Sequence, residues 1–448
     1  MSTQSLSNTL IERIQTRTAR IGVVGLGYVG LPLTMLLTDA GFGITGFDVD
    51  QSKVDMLNSG HSYIQRILPD EIQSLLARKF TATSDYSHVT EMDVLILCVP
   101  TPLNEHREPD LTYIESTASS LAPHIRANQL IVLESTTYPG TTEEILIPIL
   151  ESNNKNQLSV SRTGAEAEPV FHVAYSPERE DPGNTAVERH DIPKVVGALN
   201  PTSLALVKAV YFSIFHRVIP VSSPAAAEMT KLLENIYRCV NIALVNELKL
   251  LCLRMGLDIW EIIDAAATKP FGFQPFYPGP GLGGHCIPID PFYLSWKAKE
   301  YDFATRFIEL AGEVNTSMPY HVVEAVTAAL NDRGKALKGS RVLLLGLAYK
   351  KDIDDLRESP SLTLIELLRR KGADVDYNDP YFPTVSHGRH YNLNMHSVDM
   401  STVSNYDCVL IATNHSTYDY PEIVAKANLV IDTRNATAGL TGEHIVRC

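Results

Sequence analysis

The stretch that decides the fold is Ile21-Gly-Val-Val-Gly-Leu-Gly-Tyr-Val-Gly30. Its first residues are β-branched and predict a short strand, Ile21–Val24. The glycines that follow predict a tight turn, and Leu31–Ala40 predicts a helix. A second strand, Ile44–Phe47, comes directly afterwards and ends at an aspartate. A strand, a glycine turn, a helix and a second strand form the βαβ unit of a parallel sheet.

Each glycine of this turn has a physical task. Gly25 allows the bend, Gly27 lets a pyrophosphate approach the backbone, and Gly30 lets helix and strand pack closely. The helix N-terminus offers N–H groups and partial positive charge to phosphates. Asp48 ends the second strand, where its carboxylate would bind an adenosine ribose and repel a 2′-phosphate. The pattern indicates NAD rather than NADP; a structural turn without a ligand is the alternative.

The composition is that of a folded globular protein. The chain has 448 residues, 44% of them hydrophobic and 20% charged, with a formal net charge of −14. An acidic chain without a basic block is a poor partner for nucleic acid or an anionic membrane. No run approaches the roughly 18 apolar residues that a membrane helix needs, and no secretory signal is visible. The six cysteines show no CxxC pair, which favours a reducing, cytoplasmic setting.

Strands alternate with helices near both ends of the chain. Further strands are predicted at Val94–Val99 and Leu130–Glu134, and a second α/β unit begins at Arg341. The predicted fold class is α/β, with two Rossmann-like domains joined by a long central helix and a small helical domain. The predicted division is an extension at residues 1–18, a NAD-binding domain at 19–210, a helical domain at 211–325, and a second Rossmann-like domain at 326–448. Residues 151–169 are polar and predict an exposed insertion.

The middle of the chain differs in kind. Residues 225–255 contain no glycine or proline, and apolar residues recur there at helical spacing. One helix of roughly 30 residues is predicted, ended by Gly256; two helices with a break are the alternative. The apolar surface of so long a helix needs a partner, which predicts a homodimer and leaves a higher oligomer open.

The loop Pro278-Gly-Pro-Gly-Leu-Gly-Gly-His-Cys-Ile-Pro-Ile-Asp290 is too rich in glycine and proline for regular structure. Such a loop brings backbone and side chains close to a ligand. Cys286 is therefore a candidate nucleophile, and Asp290, four residues later, a candidate base toward water. A buried structural cysteine is the alternative.

Seven segments carry a family resemblance and run in order over nearly the whole chain. They are Gly25–Pro32, Val99–Pro102, Ser135–Thr142, Ser176–Pro182, Glu228–Asn235, Pro278–Leu294 and Leu347–Pro360. Through them the sequence resembles the UDP-glucose/GDP-mannose dehydrogenase family. The resemblance implies that residues 211–325 form a dimerisation and catalytic-loop domain and that residues 326–448 form the UDP-sugar-binding domain. Within the family, the cysteine loop is most similar to members acting on UDP-N-acetylglucosamine, with UDP-N-acetylmannosamine enzymes next.

The resemblance implies a four-electron oxidation. The C6 alcohol of a UDP-sugar would lose two hydrides to two NAD⁺, and Cys286 would hold the intermediate as a thiohemiacetal and then a thioester. Water would release the uronic acid. UDP-N-acetylglucosamine is the expected substrate, with UDP-N-acetylmannosamine or UDP-glucose as alternatives. A non-catalytic nucleotide-binding paralog is the alternative of another class, and a hydroxyacid dehydrogenase is disfavoured by the cysteine loop.

The resemblance also assigns catalytic groups. Lys231 and Asn235, four residues apart on one helix face, would steady the negative oxygen. Thr136 and Asp290 would hold the catalytic water, and Glu178 would assist water or proton transfer. Surface positions are the alternative for the lysine, the asparagine and the glutamate, and a strand-end turn hydroxyl for the threonine.

The remaining candidates bind ligands. The cofactor set is Gly25, Gly27, Tyr28, Val29, Gly30, Asp48, Lys53, Thr101, Thr136 and Arg357. The substrate set is Arg179, Lys231, Asn235, Tyr277, Gly281, Gly283, Lys350 and Arg434. UDP-glucose enzymes have an aromatic residue where this chain has Arg179, so this arginine is a candidate for recognising an acetamido group. Arg357 has a surface salt bridge as its alternative, because charges alternate around it. No metal site is predicted.

Overall fold

The computed structural model describes residues 3–64, 67–104, 106, 108–180, 187–284, 287–388 and 391–448. The chain divides into two compact units. The first comprises residues 1–234 and 296–303, and the second residues 235–295 and 304–448. The predicted fold class, α/β with Rossmann-like sheets and a long central helix, is confirmed. The predicted four-part division of the chain stays a prediction.

The first unit is built on one twisted sheet. Its strands follow the order β3-β2-β1-β4-β5-β7-β8-β9, with β6 beside β7, and all pairs are parallel except β7 with β8. The order reverses between β1 and β4, which is where open parallel sheets bind ligands. The strands are β1 Arg20–Val24, β2 Gly43–Phe47, β3 Phe80–Thr83, β4 Val94–Leu97, β5 Leu130–Leu133, β6 Ser159–Val160, β7 Val170–Tyr175, β8 Lys194–Ala198 and β9 Val218–Val221.

Helices accompany this sheet, as its fully buried strands require. They are α1 Thr3–Gln15, α2 Gly30–Asp39, α3 Gln51–Asn58, α4 Pro69–Ala77, α5 Thr112–Leu121, α6 Ile147–Ser152 and α7 Pro201–Tyr211. Short 3₁₀ turns lie at Tyr86–Glu91, Ala122–His124, Arg189–Asp191 and Lys299–Tyr301, and a π-helical turn lies at Thr142–Leu146.

The N-terminal extension belongs to the core of the first unit. Leu10 and Ile14 on α1 are buried, and Arg13 forms a salt bridge of 2.6 Å with the buried Asp93. The predicted insertion at residues 151–169 is less irregular than expected, because β6 pairs with β7 and Ser161 is buried. Both segments therefore pack into the first unit, beside its large sheet.

The second unit carries a smaller parallel sheet in the order β11-β10-β14-β15-β16, and a separate hairpin of β12 and β13. Its strands are β10 Arg341–Leu345, β11 Asp374–Asn378, β12 Thr384–Gly388, β13 Tyr391–His396, β14 Cys408–Ile411, β15 Val430–Asp432 and β16 Ile445–Arg447. The helices that follow α7 in the chain are α8 Pro224–Met255, α9 Ile259–Ala267, α10 Asp290–Ala298, α11 Arg306–Asn331, α12 Pro360–Arg370 and α13 Tyr420–Lys426, with a 3₁₀ turn at Met400–Asn405.

The long central helix is continuous. It has 32 residues, from Pro224 to Met255, which confirms the single helix and excludes the alternative of two. Gly256 ends it with a φ of +69°, a left-handed conformation that glycine adopts without strain. Across the described part of the chain, no helix combines the length and the apolar character that crossing a membrane requires.

Candidate active site

The glycine turn after β1 has the geometry that each glycine predicted. Gly25 has a φ of +89°, which a side chain would strain. A Cβ on Gly30 would lie 1.9 Å from the carbonyl oxygen of Gly25, so helix and turn pack without room for one. A Cβ on Gly27 would have nothing within 4 Å, so the backbone is open where a pyrophosphate approaches. The residues present therefore fit a dinucleotide.

Asp48 stands at the end of β2 beside this turn. Its carboxylate accepts hydrogen bonds of 3.0 Å from the N–H groups of Leu26 and Asp50, and the Lys53 ammonium lies 3.8 Å away. A carboxylate has about four acceptor positions, so two remain for ribose hydroxyls. Three other cofactor candidates follow β1 or β4 in the chain: the exposed Tyr28, the half-buried Val29 and the buried Thr101.

The carboxyl end of β5 carries another predicted group. Thr136 is half-buried in the loop after this strand. Its neighbour Ser135 donates a hydrogen bond of 2.7 Å to the carbonyl of Val99, which follows β4. That bond ties the loops after two adjacent strands together, at the edge of the sheet that carries the glycine turn. The position suits a group that meets the cofactor, and the role of Thr136 stays a prediction.

Glu178, in the loop after β7, is held from several directions. Its Oε1 accepts hydrogen bonds of 2.7 Å from the N–H groups of Arg179 and Glu180. Its Oε2 lies 3.2 Å from the ammonium of Lys194 at the start of β8. Although burial opposes ionisation, Lys194, these N–H groups and Lys231 hold the pKa of Glu178 below its ordinary value. The carboxylate is therefore ionised and fixed in direction.

Arg179 is engaged within the first unit. Its Nη2 and Nε lie 2.6 and 3.2 Å from the two carboxylate oxygens of Glu234 on α8, and its Nη1 donates to the carbonyl of Pro193. A substrate contact by Arg179 would use its remaining N–H groups, so its predicted role in acetamido recognition stays a prediction.

Lys231 and Asn235 are both buried on α8, one helical turn apart. The amide Nδ2 of Asn235 donates a hydrogen bond of 2.5 Å to Oδ2 of Asp290, which begins α10. Asp290 is itself buried. The fold thus brings together two predicted catalytic groups that lie 55 residues apart. The surface alternative for the lysine and the asparagine does not hold.

The cysteine loop packs against residues that follow strands of the five-stranded sheet in its own unit. Gly279 lies against Arg434, whose Nη1 would be 2.4 Å from a Cβ at this glycine. Gly283 packs on Tyr349 in the same way, and the N–H of Gly284 donates a hydrogen bond of 2.8 Å to the carbonyl of Arg357. The predicted nucleophile Cys286 lies outside the described residues, as does His285 before it.

The substrate candidates of the second unit are partly engaged. Tyr277 donates a hydrogen bond of 2.8 Å to Asp264 and stacks on Trp260, while Gly281 packs on Pro360. Lys350 is half-buried after β10.

The two arginine candidates of this unit differ in their contacts. Arg357 is bidentate to Asp355, at 2.6 and 3.0 Å, as its salt-bridge alternative requires. Burial lowers the pKa of Arg434 to about 10. The binding roles of both arginines stay predictions.

The described cysteines are unsuited to nucleophilic attack. All five are buried and unpaired: Cys98, Cys239, Cys252, Cys408 and Cys448. Burial raises the pKa of Cys239 and of Cys448 to about 11, and it raises the pKa of Cys98 and of Cys408 further. A thiol that stays protonated is a poor nucleophile.

Sequence reasoning missed several buried polar groups around these candidates. Glu228 on α8 accepts hydrogen bonds from the N–H groups of Gly140 and Thr142 and from the Thr142 hydroxyl, at 2.6–2.9 Å. Glu134 and Lys194 form an ion pair of 3.1 Å inside the first unit. Charged residues at the ends of apolar strands were the available signal, but spacing does not reveal their partners.

One grouping of possible metal ligands occurs among the described residues. His190, Asp191 and His216 offer ligand atoms within 4.8 Å of one another. Asp191 and His216 are exposed and already joined by a hydrogen bond of 2.8 Å. We assign no metal to this group.

A dinucleotide turn on a mostly parallel sheet, a second α/β unit, and buried lysine, amide and carboxylate groups define a nucleotide-dependent oxidoreductase. Three family models match the chain in order: the NAD binding domain of the UDP-glucose/GDP-mannose dehydrogenase family over residues 19–215, its central domain over 225–317 and its UDP binding domain over 343–439. The chain belongs to this family and is an NAD-dependent UDP-sugar dehydrogenase.

Individual relatives are similar over most of their length. The chain is 32% identical over 433 residues to the UDP-N-acetyl-D-mannosamine dehydrogenase of Methanococcus maripaludis strain C7, covering 93% of this chain and 92% of that protein. It is 33% identical over 407 residues to the UDP-N-acetyl-D-glucosamine 6-dehydrogenase of Pseudomonas aeruginosa, covering 89% and 91%. The solved UDP-D-ManNAc dehydrogenase of Pyrococcus horikoshii superposes with a TM-score of 0.84 at 30% identity, covering 96% and 98%.

Proposed function

We propose that this protein oxidises the C6 hydroxymethyl group of UDP-N-acetylglucosamine to a carboxylate, consuming two NAD⁺ through a covalent intermediate on Cys286. The observation that carries the proposal is the buried pair of Asn235 and Asp290, joined at 2.5 Å at the end of the cysteine loop. Family membership supplies the class of substrate, and this pair supplies an amide donor and a base for the acyl chemistry.

The glycine turn and Asp48 would hold the cofactor. The pyrophosphate would lie over Gly27, at the N-terminus of α2, and the ribose hydroxyls would bond to Asp48. When bound, NAD⁺ accepts one hydride in each oxidation. The carboxylate of Asp48 would repel a 2′-phosphate, so NAD is the expected cofactor.

The first oxidation removes a hydride from C6 and a proton from its hydroxyl. Lys231 and Asn235 would donate hydrogen bonds to the oxygen as negative charge develops there. Glu178 would accept the proton directly or through a water held by Thr136. The product of this step would be an aldehyde.

The second oxidation would start when the Cys286 thiolate adds to the aldehyde carbon and forms the anion of a thiohemiacetal, whose oxygen would accept hydrogen bonds from Lys231 and Asn235. Loss of a second hydride from that carbon gives a thioester and a second NADH. Asp290 would deprotonate a water that attacks the thioester, releasing the carboxylate and the thiolate. Two NAD⁺ and one water are consumed for each sugar, and the covalent bond keeps the aldehyde from escaping.

UDP-N-acetylmannosamine is a second candidate substrate, since the relative from Methanococcus maripaludis carries that name. UDP-glucose is a third, and it lacks the acetamido group that Arg179 is proposed to meet. A panel of these three sugars, compared by kcat/KM, separates the candidates. The proposal expects the highest kcat/KM for UDP-N-acetylglucosamine. A kcat/KM that is tenfold higher for either competitor would overturn the proposed substrate.

A homodimer is the proposed assembly. Tyr237, Leu244, Leu248, Leu251 and Met255 recur at intervals of three, four or seven residues on α8, and each is exposed. This spacing lines one face of the helix over 18 residues, or about 27 Å. A second copy of the same helix would bury that stripe.

A reducing, cytoplasmic setting suits a reaction that depends on NAD and on a free thiol.

A further inference from the structure

The carboxylate of Glu178, in the loop after β7, contacts a buried lysine that none of the family motifs includes. The Lys194 ammonium lies 3.2 Å from Oε2 of Glu178 and 3.1 Å from Oε1 of Glu134, and its side chain is 3% exposed. The aromatic rings of Tyr211 and Phe215 lie 5.1 and 5.5 Å from it. A buried ammonium without a carboxylate partner would be strongly destabilising, so Glu134 and Glu178 together stabilise the charge of Lys194.

The sheet brings these three charges to one place. Glu134 directly follows β5, Glu178 follows β7, and Lys194 begins β8, which runs antiparallel to β7. The carboxyl ends of two strands and the amino end of the third therefore meet at one edge of the sheet. This arrangement depends on pairing between strands, so the sequence spacing of 44 and 16 residues does not reveal it.

Glu134 is held in turn by its own donors. The Tyr211 hydroxyl donates a hydrogen bond to Oε1, and the Cys98 thiol lies 4.0 Å from Oε2. Glu134 is completely buried, and burial raises its pKa above the ordinary value despite Lys194. Glu178 keeps a side chain that is 20% exposed, so it is the member of the cluster that reaches solvent or ligand.

We propose that Lys194 is a positioning residue for Glu178: its ammonium, braced by Glu134, keeps the Glu178 carboxylate ionised and aimed for proton transfer. The proposal rests on the function proposed for Glu178 and adds two residues that act through it. Glu134 and Lys194 do not touch the substrate.

Other charged or titratable groups lie around Glu178 in the described structure, among them the side chains of Arg179 and Glu180, which follow it in the chain and pair with Glu234 and Arg189. Lys231 acts on it from α8, and Cys98 and Tyr211 face Glu134 on the far side of Lys194. Glu178 receives its main-chain hydrogen bonds from Arg179 and Glu180. Lys231 also lowers the pKa of Glu178, but less than Lys194 does, so removing Lys194 should raise the pKa of Glu178.

The test uses two substitutions in one cluster that predict opposite shifts. Lys194→Met removes the cation, so the acid limb of the kcat–pH profile should move to higher pH by about one unit or more. Glu134→Gln removes the competing carboxylate and leaves Lys194 to Glu178 alone, so the same limb should move to lower pH. KM for both substrates should remain within about twofold, and Lys194→Arg should restore most of the profile.

Lys297 provides a matched control in the same unit. Its ammonium is equally buried and lies 2.7 and 2.6 Å from Glu144 and Glu300. Lys297→Met should lower thermal stability and leave the acid limb in place. If Lys194→Met does not fold, the double variant Lys194→Met with Glu134→Gln removes one charge of each sign and should still show the upward shift.

The outcomes separate the two proposals. A wild-type protein that forms no NADH with any UDP-sugar overturns the proposed function. An active wild type whose acid limb is unchanged in Lys194→Met, or moves in the same direction in both single variants, overturns the role of Lys194. Opposite shifts with unchanged KM support it, since general structural damage has no reason to change sign.

Discussion

The amide of Asn235 donates a hydrogen bond to the carboxylate of Asp290 over 2.5 Å, in a position where both side chains are buried. Asn235 lies on the long helix, and Asp290 begins the helix that follows the cysteine loop. The bond therefore fixes the end of that loop against the long helix. A buried, oriented carboxylate next to a loop that carries a thiol suits a base that activates water.

Asn235→Ala should lower kcat by about 100-fold, because general-base assistance of this kind contributes roughly 10²–10⁴. KM for NAD should stay near its wild-type value, since Asn235 is proposed to contact the sugar oxygen and Asp290 rather than the cofactor. Asn241→Ala is the control: its amide donates to the carbonyl of Tyr237 on the same helix. Steady-state kinetics of both variants check this, and equal losses in the two would contradict it.

The sequence predicted the parts of the fold that local rules determine. The turn at Gly25 follows from its need for a positive φ, and the single helix from Pro224 to Met255 follows from the lack of glycine and proline within it. Asn235 and Asp290 were predicted by resemblance to the family, and the structure adds their hydrogen bond. Their separation of 55 residues hides that bond from any local pattern.

The rest depends on which strands pair. Lys194 and Glu134 meet because β5, β7 and β8 are neighbours, and strand order is not written in the spacing of single residues. Likewise, His172 on β7 gains Ser7 of α1 as a partner only because that helix belongs to the first unit. No chemistry could be predicted for residues 1–18, because their partners are set by how the unit folds and not by the local sequence.

Cofactor choice should depend on the charge of Asp48. Asp48→Asn keeps an acceptor for the N–H of Leu26 and removes the negative charge that repels a 2′-phosphate, while Lys53 remains 3.8 Å away as a cation. The ratio of kcat/KM for NADP⁺ to that for NAD⁺ should rise by about tenfold or more, as a shift of roughly 1.4 kcal/mol requires. Asp50→Asn, on the exposed N-cap of α3, should leave the ratio unchanged.

Stability should fall in acid because of His172. Burial lowers its pKa to about 4 from the ordinary 6.5, so the folded state leaves it neutral where the unfolded state binds a proton. Stability is therefore lost as the pH falls from 6.5 to 4, by up to about 3 kcal/mol. His172→Gln should make the melting temperature depend less on pH between 4 and 6.5. The substitution His88→Gln, at an exposed histidine, should not change that dependence. If the melting temperature changes equally with pH in the wild type and in both variants, His172 is not the source of the acid sensitivity.

The oligomer should depend on the stripe along α8. Leu251→Asp places a charge in the stripe and should shift sedimentation toward a monomer at micromolar concentration. Leu253→Asp is matched in exposure, at 49% against 50%, but lies about 200° away around the helix. It should sediment as the wild type does. A monomeric wild type, or equal effects of both variants, would contradict the proposed dimer.

The proposed covalent step assigns one cysteine. Cys286→Ser should stop the enzyme after the first oxidation, or trap an ester, because an alkoxide leaves far more slowly than a thiolate. Turnover to the uronic acid should fall by at least about 10³, which corresponds to roughly 4 kcal/mol of activation free energy. Cys239→Ser, at a buried thiol on α8, is the control and should retain turnover.

The most direct test of the four-electron account is the number of NADH formed for each sugar consumed. Wild-type enzyme would be given limiting UDP-N-acetylglucosamine and excess NAD⁺, with NADH followed by absorbance and the sugar product by mass spectrometry. The account predicts two NADH for each sugar and a product that carries a carboxylate. One NADH for each sugar, with an aldehyde or ketone accumulating, would contradict it.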